Sequence, residues 1–411
     1  MGGRGIRVMV LIGAVWALAL SGAASASAVP PGTIVSSQPT HVSALGLPLS
    51  VRAWKLTYAS TDTDGNPVND VATVLLPDKP SPTSPRPLVS YQTAEDSLAA
   101  SCAPSARLPQ GTEKETPLIL SALEQGWAVV VPDYEGPHSQ WTAGTQAAHG
   151  VLDGIRAAES FDPLGLAGKR TPVGLWGYSG GGQASAWAAE LQPKYAPELR
   201  LAGVAEGGVP RNVAEVARQI DGGPAAGLYF GASLGLSRAY PQYIDLNALL
   251  SPLGQLYFSA YQNACLEQIV IQGAFQRIET YTRGNIDPLT VPSVQKVVAL
   301  DELGHSRPAG PLFVFHSAND ELIPVAGVDK LVSIYCGEGV TVEYVKDTLS
   351  EHNSLAVSGA SAAIDYLQDR FAGKPPPDTC TNGPEAKLST LASTRELVTE
   401  LTAITGLTGF L

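Results

Sequence analysis

Ser179 stands at the centre of Gly177-Tyr178-Ser179-Gly180-Gly181. This spacing puts a hydroxyl on a sharp turn between a strand and a helix, where the chain ends nearly touch and glycine is needed on both flanks. A serine hydroxyl is a poor nucleophile until a base takes its proton. The order in which such sites are assembled is Ser, then Asp or Glu, then His. Of the six histidines, His352 is the one that follows a suitable acid that itself follows Ser179. It lies in Ser350-Glu351-His352-Asn353-Ser354, read as a loop ahead of a helical run over 359–371. The acid is expected at the end of the apolar strand Leu312-Phe313-Val314-Phe315, which makes Asp320 the choice and Glu321 the alternative. Asp347 sits on the adjoining strand end and is less suited. His316 ends an apolar strand and reads as structural, and His305 precedes the acid. The chemistry of such a set is acyl transfer through a covalent intermediate on Ser179, with no metal or organic cofactor.

The intermediate needs two hydrogen-bond donors for its oxyanion. The backbone N–H of Gly180 is one. The second must come from the loop Thr93 to Ser97, where the Asp96 side chain could donate only when protonated, and equally could cap a turn. A second Gly-x-Ser-x-Gly match, Gly231-Ala232-Ser233-Leu234-Gly235, has no buried strand before it and reads as part of a helical insertion.

The elements that must hold these residues alternate. Residues 51–60 and 68–77 pattern as paired strands across Asp64-Gly65. Leu88-Val89-Ser90-Tyr91, Ala128-Val129-Val130-Val131, Val173 to Trp176, Leu201 to Ala205, Leu312 to Phe315 and Val340 to Val345 are short apolar runs. Helical patterns over 118–125 and 146–159 separate some of them. This predicts an α/β fold with a mostly parallel sheet covered on both sides. Residues 211–300 break the rhythm and read as a helical cap inserted over the active-site end. The division is a signal peptide at 1–28, a first core segment at 29–210, the cap at 211–300, a second core segment at 301–383, and a C-terminal tail or flap at 384–411 with a helix over 392–401.

The leader carries Arg4 and Arg7, an apolar run from Val8 to Leu20, and Ala26-Ser27-Ala28 as a cleavage site, so the mature protein is expected outside the cell. Export suits four cysteines without a Cys-x-x-Cys pair. Three disulfide pairings are possible, and neighbourhood favours Cys102–Cys265 with Cys336–Cys380. The formal charge of −12 argues against nucleic acid and anionic membrane surfaces as partners. No protein partner is implied.

Several segments in order resemble the secretory lipase family of yeast lipase A and its bacterial relatives. They are Val71-Ala72-Thr73-Val74-Leu75-Leu76-Pro77, Glu95-Asp96-Ser97 with Cys102-Ala103-Pro104-Ser105, Val131-Pro132-Asp133-Tyr134-Glu135-Gly136, the Ser179 pentapeptide, Glu206-Gly207-Gly208-Val209-Pro210, Ala239-Tyr240-Pro241, and Asn319-Asp320 with Pro324. The resemblance implies an α/β-hydrolase core with a helical lid, a secreted lipase or esterase acting on acyl-ester lipid, and transient contact with a lipid–water interface. It also implies Ser179, Asp320 and His352 as a triad, and Asp96 with Gly180 as the oxyanion hole. The alternatives are a short-chain esterase and an exported serine aminopeptidase, since Gly-x-Ser-x-Gly-Gly serves peptidases too. A non-catalytic scaffold would be marked by a missing triad residue.

Overall fold

The computed structural model describes residues 1–2, 29–44, 47–381, 383 and 385–387. The expected leader and the expected helix over 392–401 lie outside the described residues. The strands in chain order are β1 (Ile34–Thr40), β2 (Ser43–Ala44), β3 (Leu47–Pro48), β4 (Arg52–Thr61), β5 (Pro67–Leu76), β6 (Leu88–Gln92), β7 (Ala128–Pro132), β8 (Val173–Tyr178), β9 (Leu201–Gly207), β10 (Leu312–Ser317), β11 (Val342–Asp347) and β12 (Glu385–Lys387). Ten of them form one sheet in the order β1-β4-β5-β7-β6-β8-β9-β10-β11-β12, and β2 pairs separately with β3. From β7 through β6 to β12 every neighbouring pair is parallel. β1, β4 and β5 run antiparallel at one side.

The parallel strands β6, β7, β8 and β10 are buried along their whole length. That is why they read as unbroken apolar runs rather than alternating ones. Helices α1 (Pro104–Gln110), α2 (Thr116–Glu124), α3 (Gly144–Ser160) and α4 (Gly180–Tyr195) connect the first half. Between β9 and β10 come α5 (Val213–Ile220), α6 (Gly227–Ala239), α7 (Leu246–Leu249), α8 (Pro252–Ser259), α9 (Leu266–Gly273) and α10 (Pro292–Leu300). They share their own apolar cluster around Phe230, Phe258, Tyr261 and Ile269. Then α11 (Val325–Gly337), α12 (His352–Ser358) and α13 (Ala360–Phe371) complete the layers. One apolar cluster on each face of the sheet forms the core.

Three readings need correction. Glu385–Lys387, which lies in the stretch read above as a tail or flap ahead of the expected helix, adds a parallel edge strand to β11. β1 was missed, because its Ser-Ser-Gln-Pro centre is exposed and lacks the apolar alternation that marks a strand. His352 is not in a loop but is the first residue of α12, since Glu351 accepts from the N–H groups of Asn353 and Ser354 and starts the helix there.

Glu206, on β9, is fully buried and neither carboxylate oxygen has a partner. Burial, aided by nearby Glu190, pushes its carboxyl up to about 8. Asp70 and Glu115 are likewise pushed up to about 8, chiefly by burial. Such acids stay protonated in the folded chain where the unfolded chain has already ionised. Their stabilisation is therefore fully present below about pH 4 and is lost as pH climbs through about 8. Thermal unfolding of Glu206→Gln is expected to match the parent near pH 4 and to exceed it near pH 9. The gap is on the order of a few kcal/mol, since each pKa unit is worth about 1.4 kcal/mol. Equal differences at both pH values would refute this account of Glu206.

Candidate active site

The parallel strands deliver the candidate site residues at their carboxyl ends, along one edge of the sheet, where ligands meet open α/β sheets. β6 leads to Asp96, β7 to Trp141, β8 to Ser179, β10 to Asp320 and β11 to His352. Ser179 has φ 56° and ψ −121°, a conformation that costs a non-glycine residue energy and persists only where the surroundings enforce it. The enforcement is visible. The Ser179 N–H donates to the Gly207 carbonyl at 2.9 Å, and the Gln183 N–H donates to the Ser179 carbonyl at 2.9 Å. A Cβ at Gly177 would overlap the Gly181 carbonyl, and one at Gly181 would overlap the Gln92 carbonyl. Both flanks of the serine therefore require glycine.

His352 Nε2 lies 2.9 Å from Ser179 Oγ, and His352 Nδ1 lies 2.7 Å from Asp320 Oδ2. In the tautomer with its proton on Nδ1, the imidazole donates to Asp320 and accepts from the serine hydroxyl. Asp320 Oδ1 is occupied by the N–H groups of Leu322 at 2.9 Å and Ile323 at 2.7 Å. Burial opposes ionisation of Asp320, but the hydrogen bond and charge of His352, with His316 and the Ile323 N–H, hold its carboxyl below the usual range. The main chain of His352 is held too, its carbonyl by Tyr178 Oη at 2.7 Å and its N–H by Glu321 Oε2 at 3.1 Å. Glu321, the alternative acid, thus contacts the histidine backbone rather than the ring. Asp347 accepts from the N–H groups of Leu349 and Ser350 and shapes the turn. His316 is fully buried, with Nε2 3.1 Å from the Ile323 carbonyl. Ser233 lies inside α6 and donates to the Tyr229 carbonyl at 2.7 Å.

Asp96 sits against Gly180 so closely that a Cβ there would strike its carboxyl oxygen. Its backbone has φ 39°. Burial pushes the Asp96 carboxyl up to about 6, against the opposing pull of the Trp141 N–H and of His352. Trp141 Nε1 donates to Asp96 Oδ1 at 2.8 Å. Sequence reasoning missed Trp141 altogether, because it belongs to no motif and reaches the site only through the fold. The loop carrying Asp96 continues into Cys102, which is bonded to Cys265, and the second disulfide joins Cys336 to Cys380. Both pairs are the ones neighbourhood favoured.

Ser179, Gly180, Asp96 and His352 open into one apolar cavity. Most of its lining comes from residues 213–298, including Leu228, Leu236, Leu249, Phe258 and Val298. A serine hydroxyl facing an apolar cavity suits an acyl chain better than a charged or hydrogen-bonding group.

The sequence matches the family described as secretory lipase over residues 105–379. A Mycobacterium tuberculosis protein named as a probable inactive lipase is 36% identical over 355 residues, covering 84% of this chain and 79% of that protein. Lipase A of Arthroderma benhamiae is 35% identical over 362 residues, covering 84% of this chain and 76% of its own length. Among solved structures, Candida antarctica lipase A in its closed state is similar with a TM-score of 0.82 at 28% identity, covering 92% of this chain and 91% of that one.

Proposed function

The chain belongs to the secretory lipase family and is a carboxylic-ester hydrolase, and from that premise we propose that it is an exported triacylglycerol lipase working through Ser179, His352 and Asp320. Residues 1–28 direct export and are removed from the mature protein. Residues 211–300 form the cap over the acyl site. Ser179 Oγ attacks the ester carbonyl carbon while His352 Nε2 takes its proton. Asp320 keeps the imidazole proton on Nδ1 and stabilises the imidazolium. The oxyanion accepts from the Gly180 N–H and from protonated Asp96. The imidazolium returns its proton to the departing alcohol, leaving the acyl group on Ser179. Water, deprotonated by the same imidazole, then releases the acid.

The observation that carries this reading is the continuous hydrogen-bonded line from Asp320 through His352 to Ser179, at 2.7 and 2.9 Å, opening onto the aliphatic cavity. The apolar lining of that cavity, from Val213 to Val298, favours long acyl chains over short ones. The exposed Leu256, Ile271 and Phe275, each more than 70% accessible, suit contact with a lipid surface.

The test is hydrolysis of p-nitrophenyl esters from acetate to palmitate. Turnover persisting on emulsified palmitate is expected, whereas turnover confined to acetate and butyrate would leave only an esterase. Asp96→Ala is expected to lower kcat about 10²- to 10³-fold, the usual cost of one oxyanion donor. A donating Asp96 must be protonated, so kcat/KM falls as pH climbs above about 6. Asp96→Asn, whose amide donates at every pH, removes that decline. A decline unchanged in Asp96→Asn would show that another group titrates.

A further inference from the structure

We propose that Trp141 is a positioning residue for the oxyanion carboxyl, held by Gly231 and Gly235 of α6, so that the seating of the helical insertion sets where Asp96 points. This rests on the reading of Asp96 as an oxyanion donor.

The geometry begins at the indole. Trp141 is 5% exposed, and its Nε1–H bond to Asp96 Oδ1 at 2.8 Å occupies one carboxyl oxygen. The other oxygen is thereby the one left to carry the proton. The indole's position is decided by α6. A Cβ at Gly231 would penetrate the Trp141 ring, and one at Gly235 would strike the Trp141 backbone. Residues four apart share one helix face. Glycine inside a helix is destabilising relative to alanine, so two in register need a packing reason, and Trp141 supplies it. The second Gly-x-Ser-x-Gly match is thus a seat for a tryptophan.

Further links run between the same partners. Arg238, in the last turn of α6, donates through Nη1 to the carbonyls of Leu98 at 3.0 Å, His138 at 3.2 Å and Ser139 at 3.4 Å. The Leu98 N–H donates to the Ala264 carbonyl at 3.0 Å, and Cys102–Cys265 ties the same loop to α9. Asp96, Ser139 and Thr142 all have positive φ, at 39°, 45° and 65°. Strained residues of this kind keep their geometry only while their surroundings hold them. Here the insertion supplies much of that hold, on the Asp96 loop and the Trp141 loop together.

The test is a double-mutant cycle on p-nitrophenyl butyrate. Trp141→Phe keeps an aromatic ring and removes the N–H. It is expected to lower kcat about 10-fold with KM changed less than about twofold. It is also expected to move the alkaline decline of kcat/KM to higher pH, because Asp96 loses a donor. In the Asp96→Ala background the same substitution should cost less than about twofold, since its route of action is gone. Gly231→Ala, which displaces the ring, should repeat this pattern and carries the cycle if Trp141→Phe does not fold. If Asp96→Ala is costly but Trp141→Phe costs an equal factor in both backgrounds, this proposal fails and the oxyanion reading stands. If Asp96→Ala alone leaves kcat unchanged, the oxyanion reading fails and this proposal with it.

Discussion

Ser179→Ala is expected to lower kcat/KM for any ester the protein cleaves by about 10⁵- to 10⁶-fold, in line with removal of a serine nucleophile elsewhere. The methyl group fits the site, because the elbow is held by backbone bonds from Ser179 to Gly207 and Gln183 rather than by the hydroxyl. The variant should therefore fold like the parent and lose only chemistry. Residual turnover should remain, because the oxyanion donors and the acyl cavity survive. Ser233 offers no substitute nucleophile. Its hydroxyl is committed to the Tyr229 carbonyl inside α6. Ester hydrolysis that survives Ser179→Ala within 10-fold would remove the proposed nucleophile.

Asp320→Asn is expected to lower kcat about 10⁴-fold with little change in KM. The reason lies in how the carboxylate is shared. Oδ1 accepts from two backbone N–H groups, at 2.9 and 2.7 Å, and Oδ2 accepts from His352 Nδ1 at 2.7 Å. In asparagine the carbonyl oxygen takes the place facing the two N–H groups. The amide NH₂ is then turned toward Nδ1, which must lose its proton to accept from it. The proton moves to Nε2, and the imidazole presents a donor to Ser179 where a base is needed. Glu321→Gln is expected to cost far less, about threefold or under, because its Oε2 meets the His352 backbone N–H at 3.1 Å rather than the ring, and a glutamine oxygen can still accept that bond. If Glu321→Gln matched Asp320→Asn in kcat loss, the assignment of the acid would be reversed.

The sequence alone determined the candidate nucleophile, the order of its proposed partners and the sheet that carries them. The Ser179 pentapeptide is legible because close packing of α4 against β8 and the end of β6 excludes any Cβ at Gly177 and Gly181. The buried strands are legible because burial on both faces demands continuous apolar residues. The disulfide pairs were favoured by neighbourhood alone. Tertiary structure decided the rest. Whether Asp320 or Glu321 meets the imidazole depends on the path of a few residues after β10, which spacing does not specify. Where α12 begins was set by the Glu351 cap, which sequence reading passed over. Trp141 is separated from Asp96 by 45 residues and from Gly231 by 90, and no local pattern links three such positions. They meet because β6 and β7 end side by side under α6, and only that packing turns two helix glycines, an indole and a carboxyl into one piece of the site.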